Sequence, residues 1–138
     1  MNFKEIHIGK LIKTKVEESS IDSERLSRYL KCSEEDLETF YKAKNCSTEE
    51  LLKWSKILEY DFFRIYSQHL IFYSPASAIK ESKKQSSLPK FRKNIYTQEV
   101  IDFILELVKE GKKTKKEIIT EYHIPKTTLY KWISKHQE

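Results

Sequence analysis

The 138-residue chain has little of what punctuates turns: two glycines and three prolines in all. Folds built from strands and tight turns need more of both, so the scarcity points to an all-α protein. Two glycines also cannot build a glycine-rich phosphate loop. The two cysteines, Cys32 and Cys46, are too few for a disulfide framework or a four-ligand zinc site from one chain, so neither a metal nor a cofactor is expected. No apolar run approaches the roughly 18 residues of a membrane span. The opening Met1-Asn2-Phe3-Lys4-Glu5 lacks the apolar stretch of a signal peptide. A cytoplasmic protein without a membrane partner is the expectation. Paired catalytic carboxylates and a Ser/His/Asp arrangement are also missing, and the chain is not expected to be an enzyme.

What is present is charge. Charged residues make up 34% of the chain against 38% hydrophobic ones, and the formal net charge is +5. That excess is uneven. Residues 1–73 carry 12 basic and 13 acidic side chains, whereas residues 74–138 carry 14 and 8. The stretch 74–94 holds six bases, one acid, several serines and two prolines, Pro75 and Pro89. So few apolar residues cannot offset the entropy of ordering, so it reads as a basic flexible linker. Two small helical units, 1–73 and 95–138, are expected on either side of it.

In the first unit, Ile8, Leu11, Ile12 and Val16 recur at helical spacing and predict a helix from about Phe3 to Ser19. Asp22 or Ser23 caps a second, with Leu26, Tyr29 and Leu30 facing inward. Ser33 with Asp36, and Ser47 with Glu50, have the spacing of capping boxes and predict two further helix starts. Each box follows a cysteine placed to pack on the first turn, which gives both thiols a use as small hydrophobes. Leu51, Leu52, Trp54, Ile57 and Leu58 mark the fourth helix, and Asp61 opens a fifth that runs to Tyr73.

Five short helices in this order, with Ile8-Gly9-Lys10-Leu11-Ile12, Ser23 to Ser33 and Thr48 to Leu58 as carriers, resemble the lambda-repressor-like helix-turn-helix domain. The resemblance implies that the third helix would enter the major groove. Here that helix opens with Glu34, Glu35, Asp36 and Glu38, and acids there repel a duplex. The expectation is a unit that keeps the fold and has lost the DNA contact. Along the fifth helix apolar side chains fall on every face, more than one small core can hide. Phe62, Phe63, Tyr66, Leu70, Phe72 and Tyr73 then form an interaction surface suited to a homodimer, or the helix packs back on its own unit.

The second unit opens with Thr97 as a helix cap and Val100, Ile104, Leu107 and Val108 as a buried stripe; Tyr96 is placed to staple onto Ile101. Gly111 is placed to end that helix in a left-handed turn. Thr114 and Glu117 form another capping box, ahead of Ile118, Ile119 and Tyr122. A short turn at His123 and Ile124 leads to Pro125 at the first position of a last helix. That helix buries Leu129 and Ile133, partly covers Trp132, and turns Lys126, Thr127, Tyr130, Lys131 and Lys135 outward.

The run Glu117 to Trp132, above all Ile124 and Thr127-Thr128-Leu129-Tyr130-Lys131-Trp132, resembles the DNA-binding region of insertion-sequence transposases and site-specific recombinases. His123 stands where that pattern has a turn glycine, and Ile119 where it has a smaller residue. The resemblance implies a helix-turn-helix on double-stranded DNA. A recognition helix reads base edges mainly through its N-terminal half. Lys126, Thr127 and Lys131 are therefore candidates for base or near-base contact. Thr128, Tyr130, Lys112, Lys113, Lys115, Lys116 and Lys135 are candidates for phosphate contact. The acidic triad of a transposase has no further folded region to occupy here. A sequence-specific DNA-binding protein is expected, either a transcriptional regulator or a non-catalytic recognition protein. A protein-interaction adaptor using the same folds as scaffolds is the alternative.

Overall fold

The computed structural model describes residues 4–75, 86–91 and 96–137. Every regular element among them is a helix, so the fold is all-α. The chain divides into two compact units, Met1–Ser67 and Gln68–Glu138.

The first unit contains α1 (Ile8–Ser19), α2 (Ser23–Leu30), α3 (Glu34–Lys42), α4 (Thr48–Ile57) and the start of α5 (Phe63–Tyr73). Both capping boxes form: the Ser33 and Ser47 hydroxyls accept from the amides of Asp36 and Glu50, whose carboxylates accept back from the cap amides. The Ser33 bonds hold the Asp36 carboxyl below its ordinary value. Asp61 starts α5 by accepting from the Phe63 amide at 3.1 Å. Trp54 lies fully buried at the centre, with Phe40 edge-on at 5.8 Å and Tyr41 at 6.0 Å. Ile8, Ile12, Leu26, Leu37, Leu51, Leu58, Phe62 and Ile65 complete the core, and the free thiols of Cys32 and Cys46 pack against it. Burial pushes both thiols above their ordinary value.

Helix α1 begins at Ile8, not near Phe3; Phe3 itself lies outside the described residues, and 4–7 are not helical. The reason is a tertiary contact. The Ile8 and Gly9 amides donate to the carbonyls of Lys44 and Ala43, just past the end of α3, at 3.2 and 3.1 Å. His7 caps the helix through Nδ1, which accepts from the Lys10 amide. Helix continued backwards would occupy the space those carbonyls take. Tyr29, expected to face inward, is instead 42% exposed, and Leu52 on α4 is 48% exposed.

The second unit holds the end of α5, α6 (Gln98–Lys109), α7 (Lys115–Glu121) and α8 (Lys126–Lys135). Val100, Ile104, Ile118, Tyr122, Ile124 and Leu129 are buried there, together with Phe72 and Gln68. Leu107, Val108 and Ile133 are only half-buried. The contact boundary thus falls inside α5, six residues before the one composition suggests. Of the expected linker, residues 76–85 and 92–94 lie outside the described residues; 74–75 and 86–91 are irregular and exposed.

A Cβ on Gly9 would lie within 2.5 Å of the carbonyl oxygens of Phe40, Tyr41 and Ala43, all of them backbone. Gly9→Ala should therefore cost about 3 kcal/mol, the upper end of the usual range for overpacking. Urea denaturation followed by Trp54 fluorescence in a Trp132→Phe background measures it, and an unchanged midpoint would refute the close approach. Asp36 gives a second test. Its lowered folded pKa contributes stability that is complete above the ordinary value of 3.8 and lost as pH falls through the folded value. Asp36→Asn should flatten that acid limb for the same fluorescence transition.

Candidate nucleic-acid interface

Local chemistry sets the two helices that matter. The Thr114 hydroxyl and Glu117 carboxylate close a capping box at the start of α7. Gly111, at φ 67°, ends the preceding turn in the left-handed region. Between α7 and α8 the chain turns through Tyr122 to Pro125, with His123 at φ 55°. His is among the side chains that tolerate this region where a β-branched one does not. Pro125 occupies the cap rather than the first helical position, because its ψ of 140° is extended. It has no side-chain acceptor to offer, and no acid lies in the first turn of α8. The first amides of α8 therefore have neither an intrahelical partner nor a side-chain cap.

The candidate residues do not form one continuous basic face. Lys112 pairs with Glu110 at 2.5 Å, and Lys113 bonds the carboxylate of Glu121 at the far end of α7. Both ammonium groups are held above their ordinary pKa by those hydrogen bonds, and Glu110 is held below its own. Lys113 is half-buried and also lies over the Tyr122 ring at 5.7 Å. These two lysines are partly neutralised by neighbours.

A different set comes together at Tyr130. Lys115, the first residue of α7, sits over the Tyr130 ring at 5.0 Å, and Lys126, the first residue of α8, at 5.6 Å. Two ammonium groups from two helix starts thus share one ring that is 44% exposed. Each cation–ring contact at an exposed site is worth about 0.5–1 kcal/mol. Lys116, Thr127, Lys131 and Lys135 are exposed and Thr128 is half-buried. Among the described residues no acid pairs with Lys115, Lys116, Lys126, Lys131 or Lys135.

The proposed aromatic surface on α5 is corrected in part. Phe62 and Phe72 are both buried, each about 1% exposed, and Gln68 between them is buried as well. Phe72 and Tyr73 stand edge-on to Tyr122 at 5.3 and 6.5 Å, and Phe103 does so at 6.2 Å. The side chains that overfill one small core are thus divided between the cores of two units. Phe63 and Tyr66 are half-buried against the first, Tyr73 is half-buried, and Leu70 alone of the six is exposed, at 63%. Tyr96 packs against Trp132 at 4.9 Å, a ring contact that the expected staple onto Ile101 does not include. The Lys113–Glu121 pair, eight residues apart, has no local spacing to reveal it.

On α3, Glu34 accepts from the Ser23 hydroxyl at 3.2 Å and Asp36 serves the cap, while Glu35 and Glu38 are exposed. No group of three His, Cys, Asp or Glu side chains among the described residues is arranged to hold a metal ion. No helix among them is long and apolar enough to cross a membrane.

The turn supplies a stability test. His123→Val should destabilise the second unit by about 1–2 kcal/mol, the cost of a left-handed backbone without glycine or a tolerant polar side chain. His123→Gly should be neutral or stabilising. Trp132 fluorescence in a Trp54→Phe background follows the transition, and equal midpoints for the two variants would contradict the turn geometry.

No family model matches the chain, and neither a curated protein nor a solved structure shows significant similarity to it.

Proposed function

We propose that this protein binds double-stranded DNA sequence-specifically, with α7, the turn at His123 and α8 acting as a helix-turn-helix. It would serve as a transcriptional regulator or as a non-catalytic, transposase-related recognition protein. The observation that carries this reading is the convergence of Lys115, Lys126 and Tyr130 beside an uncapped, acid-free helix start. Such a helix start attracts a phosphate through its unpaired amides and the positive end of its dipole. Two ammonium groups at the same place add counterion release.

The roles follow. Lys115, Lys126 and Tyr130 hold the backbone of one strand, with Thr128 and Lys116 beside them. Thr127 and Lys131, exposed on the first half and middle of α8, reach base edges, where lysine meets guanine acceptors and threonine meets several bases. Lys135 lies at the end of α8 and adds a backbone contact. Lys112 and Lys113 contribute less than their sequence position suggests, because their charges are already met by Glu110 and Glu121.

Selection of bound sequences from a random DNA library should enrich a motif, and Lys131→Glu should abolish that enrichment. Lys115→Gln and Lys126→Gln should each weaken binding across sequences and lower the slope of log affinity against log salt by about 1. Lys113→Gln should change the slope far less. Binding that is absent, or insensitive to both salt and Lys131→Glu, would overturn the assignment.

A further inference from the structure

The first unit carries a second charged surface, on the side of α2 and α4 rather than on α3. Arg25 and Arg28, one turn apart on α2, line a shallow groove with Tyr29, Lys56, Ile57 and Glu59. Two of the chain's four arginines thus meet here, and Glu59 is the one acid in the lining. Neither arginine, nor Lys56, pairs with an acid among the described residues. The groove has apolar content as well. Tyr29 and Ile57 line it, Tyr29 being 42% exposed, and outside the lining Leu52, one turn before Lys56 on α4, is 48% exposed. Large apolar side chains left outside beside unpaired arginines are the composition of a protein-binding patch, since Tyr and Arg supply much of the energy at such interfaces.

The same chain presents the complementary surface. On α6, Glu99, Asp102 and Glu106 follow at spacings of three and four, so they share one helix face, opposite the buried Val100 and Ile104. All three are exposed, and no lysine or arginine among the described residues pairs with them. Asp102 also accepts from the Gln98 side chain at 2.8 Å and Glu106 lies near Lys112, yet none of the three forms an ion pair. These exposed carboxylates along one face answer three unpaired cations around one groove. Burying Tyr29 and Leu52 in the contact adds apolar stabilisation that charge alone does not give.

We infer that the α2–α4 groove of one copy docks the acidic face of α6 from a second copy. This contact makes the protein self-associate through α2, α4 and α6, and α8 is not part of it. It is independent of the DNA-binding reading and is tested without DNA.

Sedimentation equilibrium on the full chain between about 50 mM and about 500 mM salt tests it, since exposed pairs are screened over that range. The expected result is a dimer at low salt that dissociates at high salt. The charge reversals Arg25→Glu with Arg28→Glu should raise the dissociation constant at least about tenfold, as should Asp102→Lys with Glu106→Lys. All four together should restore the dimer, because the charges then complement again. Circular dichroism on each variant separates lost association from lost folding. A wild type that stays monomeric at low salt overturns the proposal, including the case where it becomes more compact, which would mean that α6 of the same chain fills the groove. A fourfold variant that is folded and monomeric overturns it as well.

Discussion

The second unit is organised around one aromatic side chain. Tyr122 ends α7, and the rings of Phe72, Tyr73 and Phe103 stand edge-on to it while Lys113 covers its face. Edge-to-face pairs add about 0.5–1.5 kcal/mol each beyond the area they bury. Tyr122 thereby joins the end of α5, the middle of α6 and the last turn of α7 at a single point. The next residue is His123, whose left-handed backbone sends the chain into α8. The direction of α8, and with it the positions of Lys126, Thr127 and Lys131, depends on that anchored ring and the turn after it. In the first unit the corresponding constraint is the contact of Gly9 with the end of α3, where backbone meets backbone and no side chain fits.

Local features were legible in the sequence. Three capping boxes, the Asp61 start and the Gly111 stop occur where spacing predicts them, because each involves residues no more than four apart. The all-helical class followed from composition and periodicity for the same reason. What could not be read is non-local. The start of α1 is set by carbonyls 34 to 36 residues downstream. The inward or outward choice at Tyr29 and Leu52 depends on where neighbouring helices lie, and an amphipathic pattern on a helix of 8 or 10 residues leaves the edge of its apolar stripe undecided.

The candidate interface was legible in its membership more than in its grouping. The outward positions on α8 follow from the periodicity that buries Leu129, so Lys126, Thr127, Tyr130 and Lys131 could be named in advance. The four lysines ahead of and at the start of α7 look equivalent in sequence, yet they separate into two kinds. Lys112 and Lys113 turn toward acids, whereas Lys115 reaches across to a ring on α8 and Lys116 remains in solvent. Net charge hides the same distinction. The total of +5 averages a slightly acidic first unit with a second part whose excess is six, and part of that excess is bound within the unit.

Helix α5 has a consequence for where the chain can be divided. Its first five residues belong to one unit and its last six to the other, with Ile65 in the first core and Phe72 in the second. A fragment cut where the basic stretch begins would carry away Phe72 and Tyr73 and leave Tyr122 facing water on that side. Composition marks the place at which the chain looks easiest to cut, but the second unit's own minimal length includes residues 68–73. Its boundary is a position within a continuous helix, defined by which core each turn of that helix completes.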